Sequence, residues 1–577
     1  RASQLLSCDE FRSPILMIGV ICNDDERKIV EEFFQLFKTP WEFYQKQRIY
    51  DAVVVTADEC PANLNASLLL IYNSKRTTLD NEIGISIRSV EPSNWIEWDA
   101  SVFPLYGAAA VLQGAGRPFI QRRGSPGCVG LEVGGRAPQT ARIGYDLFKE
   151  AAFLLSQGQP SVNGHIATLD IHISLLRSLI VNSGAPFIEI PPVPGGYDFM
   201  ACLSHDVDFT GIREHKLDMT IWGFLYRATV GSFFDVLRGK SAVSKMLQNW
   251  KAAFSLPFVY LGLAEDFWLE FDRYLEIEKG LNATYFFIPL KNTPGMLKTG
   301  PAPSQRAAKY DARDCKDDFR KLIDQGCEVS LHGIDAWRDV QKAQIEANQI
   351  RHLTGLSTIG VRMHWLYFDE NSPKTLDCAG FPYDSTFGYN DALGFRAGTT
   401  QPFLPPGATQ LLELPMNIQD TAMFFPGRMN LSETRALDSC KRLLTFTKAF
   451  GGVVTVNWHT RSLSPERLWG DFYKTLLDEM RNYRVWFGTA QEIVTWFRNR
   501  RALSFEQAQF AQEGLRLKIT GPSPDEQHPF FVRVYPGGSR SPLDSSSGVR
   551  KPGYSDILWN GEAGLNGVKS LPEPSIL

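Results

Sequence analysis

Met200-Ala-Cys-Leu-Ser-His-Asp-Val-Asp208 opens as an apolar strand and ends with two carboxylates two residues apart. Side chains at that spacing on a strand point the same way. Asp206 and Asp208 therefore share one face at the strand's C-terminal mouth. Two like charges held together are costly unless a cation or a shared proton relieves them. One metal ligand beside one general base is the simplest reading. A pair of solvated turn carboxylates is the bland one.

Apolar strands recur after this one, at 283–289, 327–332, 358–362, 382–386, 411–415, 453–457 and 485–488. Helical spacing of apolar residues fills intervals at 264–279, 315–325, 343–354, 433–450 and 468–483. Alternation sustained this long predicts an α/β unit with a parallel sheet over residues 197–500. In a (β/α) barrel, chemistry belongs at the C-terminal strand ends. The polar residues of interest sit there: Asp206, Asp208, His332, Arg362, His364, Asp384 and His459. Residues 211–263 interrupt the pattern as an aromatic-rich insertion with Arg227, Arg238 and Lys240 nearby. A helical hairpin packed on the barrel is the plain expectation; a substrate lid or a membrane-surface helix is the sharper one.

Ahead of the barrel, residues 13–190 predict a smaller α/β domain. Strands are expected at 15–22, 52–56 and 67–72, and helices at 28–37, 145–157 and 169–181. Gly130-Leu-Glu-Val-Gly-Gly135 opens no helix and is a poor dinucleotide fingerprint. The Pro- and Gly-rich stretch 186–197 reads as a linker. Behind the barrel, residues 502–577 predict a short β-rich appendage in which 515–520 and 530–535 pair, with a mobile loop over 536–554.

Composition narrows the classes. The chain has 577 residues with 60 basic and 64 acidic side chains, a net charge of -4 that predicts no nucleic-acid partner. No apolar run approaches the length of a bilayer span. The nine cysteines are scattered without a CxxC pair, which points to buried thiols and a reducing, cytoplasmic setting. The chain begins with Arg1 rather than Met, which leaves room for a removed leader. Oligomeric state is not legible.

Three of nine histidines at strand mouths beside an Asp-x-Asp suggest one convergent site. Asp208 with two imidazoles makes a ligand set with open positions, suited to hydrolytic zinc or a similar divalent ion. Asp206 would take a proton from water, His459 would give one to a leaving amine, and Arg362 would keep Asp206 ionised and oriented. Asp384, Trp365 and Trp458 are the candidates for substrate contact. Asp384 reads equally as an Asx-turn, and the tryptophans as ordinary core.

These motifs, in this order, resemble the polysaccharide deacetylases of carbohydrate esterase family four, the NodB-homology group. The likeness covers about residues 190–500 and is closest to a divergent branch with an accessory domain ahead of the catalytic one. Ser204-His-Asp-Val-Asp208 is similar to the first motif with one residue inserted between the carboxylates. His332 matches the first position of the family's His-x-x-x-His motif, and Ala336 stands where its second His belongs. Arg362 in Gly360-Val-Arg-Met-His-Trp365 matches the third motif, 379–386 the fourth, and Val453-Val-Thr-Val-Asn-Trp-His459 the fifth. The expected ligands are Asp208, His332 and His364, with His364 replacing the lost histidine and Asp335 as the alternative. The resemblance implies a distorted (β/α) barrel of the glycoside hydrolase/deacetylase type and a divalent metal. It also implies a hydrolase of non-peptide carbon–nitrogen bonds that removes N-acetyl groups from a carbohydrate. The competing readings are a carbohydrate-binding relative with a degraded metal site and a metal-dependent hydrolase of a small amide.

Overall fold

The computed structural model describes residues 17–535, 553–559 and 565–566, apart from 62–63, 136–137, 217, 240, 269–270, 512–513 and 524. Strand Phe199–Val207 is buried along its whole length and pairs in parallel with three neighbours, Ala283–Phe287, Val453–Asn457 and Val485–Phe487. Burial on both faces explains why the strand reads as a continuous apolar run rather than an alternation. The sheet continues outward through Glu328–Gly333, Val361–Met363, Tyr383–Asp384 and Leu412–Glu413 on one side and Ile418–Gln419 on the other. Among the described residues no ladder joins Leu412–Glu413 to Ile418–Gln419, so the sheet is a curled, distorted barrel rather than a closed one. Helices Lys316–Asp324, Val340–Thr354, Glu433–Phe450 and Gly470–Arg481 lie between the strands. Their buried faces share one core with the sheet.

The N-terminal sheet holds more strands than the three expected. Five parallel strands run in the order Trp41–Phe43, Ile18–Ile21, Tyr50–Val55, Ala66–Tyr72, Gln139–Ile143. Four antiparallel ones, Cys128–Val133, Ser101–Gly114, Ile85–Trp98 and Arg117–Arg122, extend the same sheet. The long hairpin 85–114 escaped the sequence reading because Pro92 and Pro104 argue against strand interiors. Irregular pairing near Ser89 and between Pro92 and Asn94 accommodates part of this. Gly130 and its neighbours form a strand and no phosphate loop. Helices Arg27–Leu36, Leu147–Ser156 and Thr168–Asn182 cover the sheet.

Two expectations outside the barrel are corrected. The stretch read as a linker opens with a buried strand, Phe187–Glu189. It pairs with Phe531–Tyr535, which pairs in turn with Ser555–Leu558. Gly514–Thr520 joins Ser504–Ala511 and Leu565–Asn566 in a different sheet. The two segments expected to pair with each other thus take separate partners, because alternation specifies a strand but not its neighbour. Most of the loop expected at 536–554 lies outside the described residues. The insertion is helical: Met219–Tyr226 and Ser232–Leu237, joined by a wide turn, fold back on Val243–Tyr260 around Phe224, Leu256, Val259 and Trp268. No described helix is long and apolar enough to cross a membrane.

Candidate metal centre

Strand ends assemble the site. Asp206 lies on Phe199–Val207 and Asp208 just beyond it. His332 ends Glu328–Gly333, which pairs with Val361–Met363 so that His332 faces Arg362 in register. His364 follows in the next turn. One oxygen of Asp208 and one ring nitrogen of each histidine lie within 4.8 Å of one another.

Proton placement decides what this trio can hold. His332 Nδ1 is 3.0 Å from the Arg362 carbonyl, and His364 Nε2 is 3.0 Å from the Arg306 carbonyl. A carbonyl oxygen can only accept, so each outer nitrogen carries the proton. The inner nitrogens, His332 Nε2 and His364 Nδ1, then present lone pairs to each other 3.0 Å apart. Asp208 Oδ1 faces the same point, 3.5 Å from His332 Nε2 and 3.2 Å from His364 Nδ1, without a hydrogen-bond partner among the described residues. Three lone-pair donors converging at one point, two of them on buried histidines, form a set that could hold a cation. Burial pushes the His364 imidazole below its ordinary range, against the pull of Asp208, which disfavours a proton in that role. Tetrahedral ligands at about 2.1 Å from an ion stand about 3.4 Å apart, close to the spacings here. The donor set therefore fits a divalent metal ion.

The remaining groups flank this trio. Asp206 Oδ1 accepts from Arg362 Nη1 at 3.0 Å, and its Oδ2 accepts from Asn457 Nδ2 at 2.7 Å. Burial opposes ionisation of Asp206, while the Arg362 guanidinium and the charged His459 keep the carboxyl low. Arg362 is wholly buried, lies over the Phe286 ring and donates to Ser204 and Ser385. His459 Nε2 stands 3.8 Å from Asp208 Oδ2, while its Nδ1 is 2.7 Å from Asp420 Oδ1. Asp420 also accepts from the backbone N–H of His459. Burial would lower the His459 imidazole, but Asp420 outweighs it and pushes it up to about 9.

Asp206, Asp208, His332, His364 and His459 open onto a cavity of about 480 Å³, also lined by Trp365, Tyr367, Phe425, Arg428 and Arg467. Trp365 is 39% exposed and, with Leu366, holds a positive φ of 63° and 54°. Left-handed backbone costs a non-glycine residue roughly 1 kcal/mol or more, and such strain gathers at functional sites.

Two expected substrate contacts do not reach the cavity. Trp458 is fully buried and stacks on Phe472 and Tyr473, so its ring cannot meet a ligand. Asp384 is buried behind Arg362, bonded to Thr386 and sharing its surroundings with Glu413. It can position but not touch. Asp335 accepts from the Met296 N–H and stays outside the trio. Ala336 packs in the barrel core. The sequence reading missed Asp420 and Asn457. Asn457 carried a signal, standing two residues before His459 on a strand paired with the Asp206 strand. Asp420 carried none, since it follows a two-residue strand and is recognised only by its contact with His459.

No protein-family model matches the chain, and no curated protein does. Solved structures do resemble it. The carbohydrate deacetylase Agd3 aligns over 96% of this chain and 99% of its own, at 9% identity and a TM-score of 0.36. The Puue allantoinase aligns over 53% of this chain and 93% of its own, at 16% identity and a TM-score of 0.33. The Xyl-CE4 domain of a multidomain xylanase from the hindgut metagenome of Trinervitermes trinervoides covers 52% of this chain and 90% of its own, at 11% identity and a TM-score of 0.23. The solved structures that resemble the chain thus include a carbohydrate deacetylase, an allantoinase and beta-galactosidases, all at low sequence identity.

Proposed function

We propose that the chain is a metal-dependent hydrolase that removes the acyl group from an N-acylated carbohydrate. The observation that carries this is the convergence of three lone-pair donors between an ionised carboxylate and a protonated imidazole. A binding protein needs no such pair, which sets aside the reading of a degraded site. The motif resemblance supplies the substrate class.

Asp208, His332 and His364 would hold the ion, with zinc the expected metal. The chemistry such an ion supplies is Lewis acidity, which polarises an acyl oxygen and acidifies a water. Asp206, oriented by Arg362 and Asn457, accepts the proton lost by that water. Its low pKa makes it a modest base, so the water must already be acidified. His459, charged through Asp420, gives a proton to the departing nitrogen. One water is consumed, and a carboxylate and a free amine result. Trp365 and Phe425 offer flat apolar faces for a sugar ring. Arg428 and Arg467 add positive charge to the cavity wall, which suits a sugar with an acidic group.

Purified protein should carry or take up about one zinc, cobalt or nickel ion per chain, and release acetate from at least one N-acetylated sugar. Asp208→Ala should empty the site and His364→Ala should weaken it. Asp206→Asn should keep the ion while losing roughly 10²- to 10⁴-fold in kcat. Wild-type acetate release by that variant, or a chain that takes up no divalent ion, would overturn the reading.

A further inference from the structure

The insertion places its apolar side chains on two opposite faces. On its first arm Ile221, Phe224 and Ala228 point into the hairpin and are buried. Met219, Trp222, Tyr226, Val230, Phe233 and Leu237 recur every three or four residues on the other side and are 44–77% exposed. On its second arm Ala252, Leu256 and Val259 are buried. Val243, Leu247, Phe254, Phe258 and Leu261 form the matching outer stripe, 54–75% exposed. Fourteen of the 22 exposed large apolar side chains among the described residues fall within residues 219–263. Single exposed apolar residues are ordinary, but a concentration of this kind marks a face meant to be covered.

Charge identifies what covers it. Residues 219–263 carry Arg227, Arg238, Lys240, Lys245 and Lys251 against one acid, Asp235, in a chain whose total is -4; Lys245 pairs with Glu433 and Arg227 faces Glu466. Arg238 and Lys251 are exposed among the apolar positions. Helices with Trp, Tyr, Phe and Leu on one side and Lys or Arg beside them lie in the interface of anionic membranes. A second copy is the poorer occupant. In a two-fold pair the same patch meets itself, and here that would bring net positive against net positive. Protein interfaces are also depleted in lysine.

The hairpin's position gives such docking a consequence. The Glu466 N–H donates to Asn249 Oδ1 at 2.7 Å, and Arg227 reaches Glu466 at 3.9 Å. That loop also carries Arg467 of the catalytic cavity. The outer stripes are therefore one loop away from the site.

We infer that the 219–263 hairpin docks the protein on the surface of an anionic lipid bilayer, with its outer apolar stripes inserted among the headgroups. Docking needs none of the catalytic groups, so it stands or falls independently of the hydrolase reading.

The test is flotation of the full chain with vesicles of phosphatidylcholine, alone or mixed with phosphatidylglycerol. Wild-type protein should float with the mixed vesicles and bind neutral ones about tenfold less. Raised salt should weaken binding. Trp222→Ser with Phe254→Ser should reduce flotation at least about tenfold, with an unchanged melting temperature confirming the fold. Arg238→Glu with Lys251→Glu should do the same without removing any apolar contact. Two results would overturn the proposal. One is wild-type protein that stays at the bottom of the gradient with mixed vesicles. The other is a concentration-dependent dimer that Trp222→Ser with Phe254→Ser dissolves while vesicles capture nothing.

Discussion

His459 meets Asp420 twice, through its ring and through its backbone N–H. A carboxylate on Nδ1 fixes the tautomer, aims Nε2 into the cavity and stabilises the charged ring. The folded imidazole is raised from 6.5 to about 9. Any stability from the pair is therefore present below pH 6.5 and lost as pH rises through about 9. The same proton serves chemistry, so activity should fall on an alkaline limb near pH 9. Replacing Asp420 with Asn keeps an acceptor but removes the charge. In the pH dependence of kcat/KM, Asp420→Asn should move that limb down toward pH 6.5. A limb that stays near 9 in the variant would remove His459 from the role of acid. The carboxylates and imidazoles of this site were legible as residues because their types and strand-end places are distinctive. Asp420 was not, since an Asp in a loop has no pattern until its partner is beside it in space.

At the scale of elements, the loop after Glu328–Gly333 explains the departure at position 336. Glu346, on helix Val340–Thr354, accepts from the backbone N–H groups of both Ile334 and Asp335 at 2.8 Å. So pinned, the loop turns Ala336 and Trp337 into the core, where Ala336 is fully buried. A second imidazole cannot come from this loop. The neighbouring strand supplies it instead, because parallel pairing of His332 with Arg362 brings His364 to the same mouth. Restoring the family pattern with Ala336→His should therefore fail. The larger ring overpacks the core and should cost about 1–3 kcal/mol. Chemical denaturation should show the loss, and metal analysis should show no gain in occupancy. The order of most barrel strands and helices was readable from apolar runs and helical spacing, whereas the 85–114 hairpin was hidden by its prolines. Pairing between 515–520 and 530–535 was misjudged because the partner of the second, Phe187–Glu189, lies far along the chain.

Across the whole molecule, the N-terminal sheet and the barrel are joined by buried polar contacts. Asp170 accepts from Thr399 and Thr400 of the barrel unit, and Gln159 donates to the Phe395 carbonyl. Gly394 approaches Gly164 so closely that a Cβ there would lie 2.0 Å from its carbonyl oxygen. Arg500, in the last turn of helix Ala490–Ala502, makes six donor contacts, one of them to the Gln401 side chain. It donates to the carbonyls of Gln35, Leu36, Ile190 and Pro191, which belong to the first helix of the chain and the stretch before the barrel. Those carbonyls include the last ones of a helix, which have no partners within it. Truncating Arg500 would strand several buried acceptors, each costing about 1–3 kcal/mol when left unmade. Arg500→Ala should lose on the order of 3 kcal/mol without touching the cavity. The wild-type chain should unfold in one calorimetric transition, and the variant in one at lower temperature. Residues 197–500 alone should not form a stable fold, because they would expose Phe387, Ala397 and Phe403, which are buried in the core of the N-terminal unit. Two well-separated transitions in the intact chain would mean that these units are tied side by side rather than built as one body.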